Sequence, residues 1–161
     1  MMSDPTLAEA PWTPHLAAMD AAIAASNAGA ALLAWRHAYR AALEQPGWPV
    51  LAHVAGAAMR IATVPGYRKA AESRARESYW TALFRARRQG SLNGVLDAAE
   101  AFIMLGDRMM VEQCTRIAEH LVLLTGDGDA EAAQRVRTLA AGMAQRYVQA
   151  DRLEAGMMVW R

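Results

Sequence analysis

Large aromatic side chains are scarce in this sequence: they make up 7% of its 161 residues, whereas 54% of the residues are hydrophobic. Alanine supplies much of that hydrophobic fraction, which favours closely approaching helices over a thick core of large side chains. β-Branched residues are also sparse, and no segment alternates apolar and polar residues for long, which argues against a β-sheet. We therefore predict an all-α fold.

Cysteine and long apolar runs are lacking as well. The lone Cys114 cannot form an internal disulfide, and its place in a helical pattern predicts a small buried side chain, not a nucleophile. No apolar stretch reaches the roughly 18 residues that cross a bilayer, and the first residues do not show the pattern of a signal peptide. We expect a cytoplasmic protein that does not insert into membranes.

Motifs of catalysis and metal binding are missing too. The sequence contains no nucleotide-binding glycine motif and no serine-hydrolase motif, and its four histidines stand singly without an HExxH pattern. The acidic turn 127–129 lacks the glycine and glutamate of a calcium loop, so a turn with a helix cap explains it. We predict a protein with no catalytic residues, metal or cofactor. A ligand pocket between helices would need converging polar side chains, which the sequence does not identify.

The charge of this chain is small overall but unevenly distributed. The formal net charge is +1, yet residues 60–88 hold eight basic and two acidic side chains, a local net charge of +6. Such a polarised surface can steer an acidic partner, and the alternative partner is nucleic acid or another polyanion. The basic residues of this segment are Arg60, Arg68, Lys69, Arg74, Arg76, Arg85, Arg87 and Arg88.

Proline and glycine divide the chain into seven predicted helices, because proline cannot donate a helical hydrogen bond and glycine favours helix ends. The first five predicted helices are about 14–27, 30–45, 50–63, 67–89 and 92–105. The sixth follows Gly106-Asp107 and ends at about 124, and the seventh is about 130–155. We interpret residues 1–12 as a flexible lead-in, 13–155 as a single helical-repeat domain and 156–161 as an apolar tail, in which Gly156 is a flexible joint.

The glycines that separate predicted helix pairs lie at positions 29, 66 and 106, which indicates a repeat of helical hairpins. In the third pair, Ala99 takes the small position of the first helix and Phe102 the aromatic position. Gly106-Asp107 forms the turn, and Ala118 takes the small position of the second helix. With these residues the chain resembles the tetratricopeptide-like superfamily.

This resemblance implies a right-handed stack of about three antiparallel hairpins and a C-terminal capping helix. Such arrays present a groove that binds peptides, so the resemblance implies an adaptor or chaperone that holds a segment of another polypeptide. With three hairpins and a last helix, the chain is similar to the small chaperones of bacterial type III secretion translocators. A homodimer is compatible with this hypothesis.

The fourth predicted helix carries the candidate binding residues. Helical periodicity places its small residues on one stripe and places Trp80 and Phe84 on another, next to Arg76 and Arg87. Aromatic and arginine side chains are typical of interaction hot spots, and Trp160 in the apolar tail is a further candidate. The alternative is that this helix is covered on both sides, so that Trp80 and Phe84 belong to the core.

Overall fold

The computed structural model describes residues 10–125 and 130–158, without the side chains of Thr125 and Ala132. This part of the chain is helical and contains no β-strand, which confirms the predicted all-α class. Its helices are α1 Thr13–Ala24, α2 Ala28–Leu43, α3 Pro49–Ala58, α4 Arg68–Arg88, α5 Leu92–Met104, α6 Arg108–Thr125 and α7 Ala130–Met158. The chain divides into two compact units, unit 1 (Met1–Gln89) and unit 2 (Gly90–Arg161).

The first turn of unit 1 forms at Ser26, not at Gly29 as the glycine spacing predicts. Ser26 adopts a φ of 54°, in the left-handed region. Asn27 donates its backbone N–H to the Ala22 carbonyl, and its side-chain oxygen accepts the Ala30 N–H at 3.1 Å. Asn27 therefore closes α1 and caps α2 at once. Because this cap starts α2 at residue 28, Gly29 lies inside the helix and its predicted role is wrong.

Small side chains fill the packed faces of unit 1. The buried alanines are Ala28, Ala31, Ala38 and Ala42 of α2, Ala55, Ala57 and Ala58 of α3, and Ala71, Ala75, Ala82 and Ala86 of α4. One large aromatic joins them: Trp35 is 2% exposed, and its indole N–H donates to the Val54 carbonyl at 2.9 Å. This bond links α2 to α3 and satisfies a polar group that burial would otherwise leave without a partner.

The second hairpin of unit 1 consists of α3, a short 3₁₀ turn at Met59–Thr63 and α4. The 3₁₀ turn takes up the last residues of the predicted third helix, and Gly66 follows it with a φ of 86°, a conformation that favours glycine. Arg60 in this turn donates to both carboxylate oxygens of Asp20 in α1, at 2.8 and 3.2 Å. This ion pair therefore connects the 3₁₀ turn after α3, in the second hairpin, to α1 in the first hairpin.

Unit 2 begins with the hairpin of α5 and α6, which agrees with its predicted pattern. Ala99, Phe102 and Ala118 are completely buried. Gly106 has a φ of 69°, and the side-chain oxygen of Asp107 accepts the Met110 N–H at 3.2 Å. This is the same arrangement of a left-handed residue and an Asx cap that Ser26 and Asn27 form in unit 1.

The last helix, α7, packs against α6 and α5 in unit 2. Val136 and Met143 are buried on its inner face. The guanidinium of Arg108 in α6 lies 4.5 Å from the centre of the Tyr147 ring. The helix continues through Gly156 to Met158, so Gly156 is not the joint that the sequence predicts.

The hairpin turns recur at a regular interval of 40 residues. Left-handed residues stand at positions 26, 66 and 106, which replaces the unequal spacing expected from Gly29. Two buried positions follow each turn at the same distances, and alanine or serine occupies five of the six. These are Ala31, Ala71 and Val111 at the first position, and Ala38, Ser78 and Ala118 at the second. The local sequence pattern of a helical hairpin therefore occurs three times in the chain.

Candidate functional site

Helix α4 has one buried face and one exposed face. Periodicity predicts that this face consists of Ala71, Ala75, Tyr79, Ala82, Leu83 and Ala86. The structure differs at two positions, because Ser78 is also fully buried and Tyr79 is only partly covered. Trp80 and Phe84 lie on the other face, and each is 51% exposed. The alternative that places both aromatic rings in the core is therefore wrong.

Trp80 and Phe84 form a stacked pair on this exposed face. Their ring centres are 5.7 Å apart, and the ring planes are inclined by 26°. Residues four positions apart meet on the same side of a helix, so α4 itself brings the two rings together. The pair presents an apolar surface to solvent, the type of surface on which interface energy often concentrates.

The two predicted arginines lie on the same side of α4 as this pair. With about 100° of rotation per residue, Arg76, Trp80, Phe84 and Arg87 fall within an arc of about 80° on α4. Arg87 is exposed and Arg76 is partly buried. We refer to these four residues as the α4 patch. Trp160, the fifth candidate, lies outside the described residues.

Several arginines of the basic segment have partners within unit 1. Arg60 pairs with Asp20 at 2.8 Å, Arg68 with Glu72 at 2.9 Å and Arg74 with Glu77 at 3.6 Å. Ionic contacts of this kind on a surface support the fold only weakly, but they neutralise charge locally. Glu72 and Glu77 are already counted in the net charge of +6, so only the pairing of Arg60 with Asp20, which lies outside the segment, lowers the local charge further, by one.

Arg85 has a structural role that the sequence does not indicate. Its guanidinium donates to the carbonyl of Leu43 at 2.6 Å, to that of Gly47 at 3.3 Å and to that of Gln45. Gln89, one turn later, donates to the Pro46 carbonyl at 2.8 Å. Backbone carbonyls at the end of α2 cannot be satisfied within that helix, so α4 supplies donors for them.

Three cations of α4 remain without such contacts. Among the residues that the structure describes, Lys69, Arg87 and Arg88 make no hydrogen bond or ion pair. All three are exposed. The free positive charge of α4 therefore lies at both ends of the helix, on either side of the aromatic pair.

Unit 2 contains a groove that the sequence pattern does not indicate. It has a volume of about 690 Å³ and runs between α5 and α7, where Leu96, Ile103, Leu139 and Met143 line it. Its size is within the range of ligand-binding pockets. Each wall has a local helical pattern, Leu96 with Ile103 on α5 and Leu139 with Met143 on α7, but nothing local indicates that these two distant segments face each other.

His, Cys, Asp and Glu side chains are the groups that could bind a metal ion or act in covalent chemistry. Within residues 10–125 and 130–158, no cluster of three or more His, Cys, Asp or Glu side chains could hold a metal ion. The structure does bring His15 and His37 together, with ring centres 5.5 Å apart. Cys114 is fully buried as predicted, and burial together with the charge of Asp107 raises the pKa of its thiol to about 12. A thiol with that pKa holds its proton at neutral pH and is a poor nucleophile.

Among the helices of residues 10–125 and 130–158, none combines the length and apolar character that crossing a bilayer requires. The exposed apolar residues of α4 are two rings on an otherwise polar face. Isolated apolar side chains are common on protein surfaces, so it is the stacking and the flanking charge that distinguish this pair.

Comparison with models of known protein families found no match to this chain, and no curated protein matches it. The likeness to tetratricopeptide proteins therefore remains an expectation from the residues.

Proposed function

We propose that this protein is a non-catalytic interaction module, an adaptor or chaperone that binds a segment of another polypeptide through the α4 patch. The single observation that carries the proposal is the stacked pair of Trp80 and Phe84, each half exposed on a helix whose opposite face is buried. Fully hydrating two adjacent rings is unfavourable, and covering such rings is a common source of binding energy.

The hairpin pattern supports the same function. We propose that the three hairpins are tetratricopeptide-like repeats, because a left-handed turn and two buried positions recur in each. Their interval of 40 residues is longer than the tetratricopeptide period of about 34. Repeats of this type most often serve as protein-binding scaffolds. Fold alone does not establish function, so the proposal depends on the α4 patch more than on this likeness.

A nucleic acid or another polyanion is the alternative partner, and the free cations Lys69, Arg87 and Arg88 favour it. Against it stand Arg60, Arg68, Arg74 and Arg85, which are held by partners in unit 1. The dependence of binding on salt concentration distinguishes a polyanion partner from a polypeptide partner. Binding to a polyanion falls steeply as the salt concentration rises, whereas binding anchored by the aromatic pair keeps its hydrophobic contribution at high salt.

The proposal predicts that Trp80→Ala and Phe84→Ala each abolish partner capture and leave the protein folded. Loss of an interface anchor typically costs about 2 kcal/mol, which corresponds to roughly 30-fold weaker binding. Full-length wild-type and variant proteins are used to capture partners from an extract of the source cells, and the captured protein is then titrated against each form. Thermal unfolding followed by circular dichroism reports the stability of each variant.

Leu33→Ala is the matched control, because Leu33 is a 54% exposed apolar residue on α2. It should capture the partner as the wild type does. Equal capture by the wild type and Trp80→Ala would show that α4 does not supply the binding site. The groove between α5 and α7 would then be the next surface to test.

A further inference from the structure

We infer that the partner segment bound by the α4 patch is acidic, with carboxylates on both sides of a large aliphatic side chain that covers Trp80 and Phe84. This inference rests on the proposed function and adds the chemistry of the partner. It follows from the balance of charges on α4 and from their positions along the helix axis.

The balance of charges on α4 is positive once internal pairs are removed. Both glutamates of the helix are engaged: Glu72 accepts a hydrogen bond from Arg68 at 2.9 Å, and Glu77 lies 3.6 Å from Arg74. Lys69, Arg87 and Arg88 are exposed and have no partner among the described residues. An approaching acidic segment would meet cations that need not first leave an internal carboxylate. A basic segment would meet uncompensated positive charge, which repels it.

The positions of these cations define the pattern of the partner. At a rise of about 1.5 Å per residue, Lys69 precedes Trp80 by about 16 Å, and Arg87 follows it by about 10 Å. Both lie within about 20° of Trp80 around the helix axis. An extended partner segment, at about 3.3 Å per residue, would therefore place acidic residues about five positions to one side of its aliphatic anchor and about three to the other.

The same positions favour a polypeptide over a nucleic acid. Phosphates follow one another at about 3.4 Å along each strand of a duplex, and proteins that bind them supply closely spaced cations. On α4, Lys69 lies about 27 Å along the helix axis from Arg87 and Arg88. Arg74 and Arg85, between them, contact groups within unit 1, so the free cations do not follow a strand at phosphate spacing. Trp80 and Phe84 also stack on each other, so one face of each ring is already covered. This leaves less ring surface for stacked bases.

The test uses the full-length protein and labelled synthetic probes in a fluorescence anisotropy titration. The first probe is a peptide with a central Leu-Ile-Leu flanked on each side by five glutamates. In the second, lysines replace the glutamates, and in the third, serines replace the three apolar residues. The fourth is an oligo(dT) of 15 nucleotides. We expect the first probe to bind at least about tenfold more tightly than each of the others.

Variants separate the contribution of charge from that of the aromatic pair. Arg87→Glu should weaken binding of the acidic peptide at least about tenfold, and Lys69→Glu should weaken it in the same direction. Arg36→Glu, which changes an exposed arginine on α2, has the same change in net charge and should leave binding nearly unchanged. Circular dichroism shows whether each variant is folded. Because two different charge reversals are used, the test can still be read if one of the two variants does not fold.

Each remaining outcome would overturn the inference, and the outcomes differ in what they mean for the proposed function. If both charged peptides bind equally and Trp80→Ala weakens both, the patch binds polypeptides without preferring acidic ones. If oligo(dT) binds most tightly, the partner is a nucleic acid, and the proposed function fails too. If the acidic peptide does not bind at all, the inference is wrong, while capture from the cell extract still decides the proposed function.

Discussion

Arg85 and Arg87 differ in their surroundings, although only one residue separates them on α4. Arg85 points toward the end of α2 and donates to three backbone carbonyls, whereas Arg87 is exposed and makes no hydrogen bond or ion pair within the described part of the chain. A rotation of about 200° between them explains the difference. The basic segment therefore combines structural arginines with free ones, and only the free ones are available to a partner.

Arg85→Ala should destabilise the protein by about 2 kcal/mol, because charged donors would be removed from carbonyls that α2 and its following loop cannot satisfy otherwise. Arg87→Ala should change the free energy of unfolding by less than about 0.5 kcal/mol, as exposed substitutions usually do. Urea denaturation of both variants measures the two values. Equal stability of Arg85→Ala and wild type would contradict the structural role assigned to Arg85.

At the scale of elements, α7 shows how one apolar stripe can be partly buried and partly exposed. Val136, Met143 and Met157 lie on the same side of this helix at multiples of seven residues. Val136 is 4% exposed and Met143 7% exposed, whereas Met157 is 70% exposed. The helix has 29 residues and α6 has 18, and Arg108 at the first position of α6 contacts Asp151 at 3.8 Å. The last residues of α7 thus extend beyond the partner helix that covers its earlier part.

This difference predicts opposite outcomes for one substitution at two positions. Met143→Ala should cost about 2 kcal/mol of stability, because it leaves a cavity next to Thr115, whose hydroxyl lies 3.8 Å from the Met143 sulfur. Met157→Ala should cost almost nothing in a monomer. The midpoints of chemical denaturation compare the two. A large loss from Met157→Ala would show that another surface covers the end of α7, and dependence of that loss on protein concentration would identify a second copy.

At the scale of the whole molecule, the division at residues 89 and 90 separates two sets of internal contacts. Gly90 at this boundary has a φ of 63°, and Ser91 caps α5 by accepting the Gly94 N–H at 3.2 Å. Within unit 1, the bond from Trp35 to Val54 and the pair of Arg60 with Asp20 connect the two hairpins.

These connections predict that a fragment of residues 1–89 folds by itself. It should give a helical circular dichroism spectrum and a cooperative thermal transition, because it retains its buried stripe and its links between hairpins. Removing the link through Trp35→Ala should abolish the transition, since loss of a buried large aromatic costs about 3 to 5 kcal/mol. A fragment without cooperative unfolding would mean that unit 1 depends on the rest of the chain.

Most helix boundaries and the small-residue stripes followed from the sequence. Pro49, Gly66, Gly90 and Gly106 mark helix ends through their own backbone preferences, and the stripe of α4 follows from a period that any helix imposes. The turn at Ser26 was missed because a serine adopted a conformation for which glycine is the usual signal. These features are local, so local residue types largely determined them.

Only the tertiary structure decided which side chains of α4 are free. The sequence could not separate Trp80 as core from Trp80 as surface, because burial depends on which helices pack against each face. Nor could it show that Arg85 donates hydrogen bonds to backbone carbonyls. Its acceptor Gln45 lies 40 positions away in the chain, and Asp20 lies equally far from its partner Arg60. Local periodicity specifies the faces of a helix, whereas contacts between residues so distant arise only when the hairpins pack, and those contacts leave Trp80, Phe84 and Arg87 exposed.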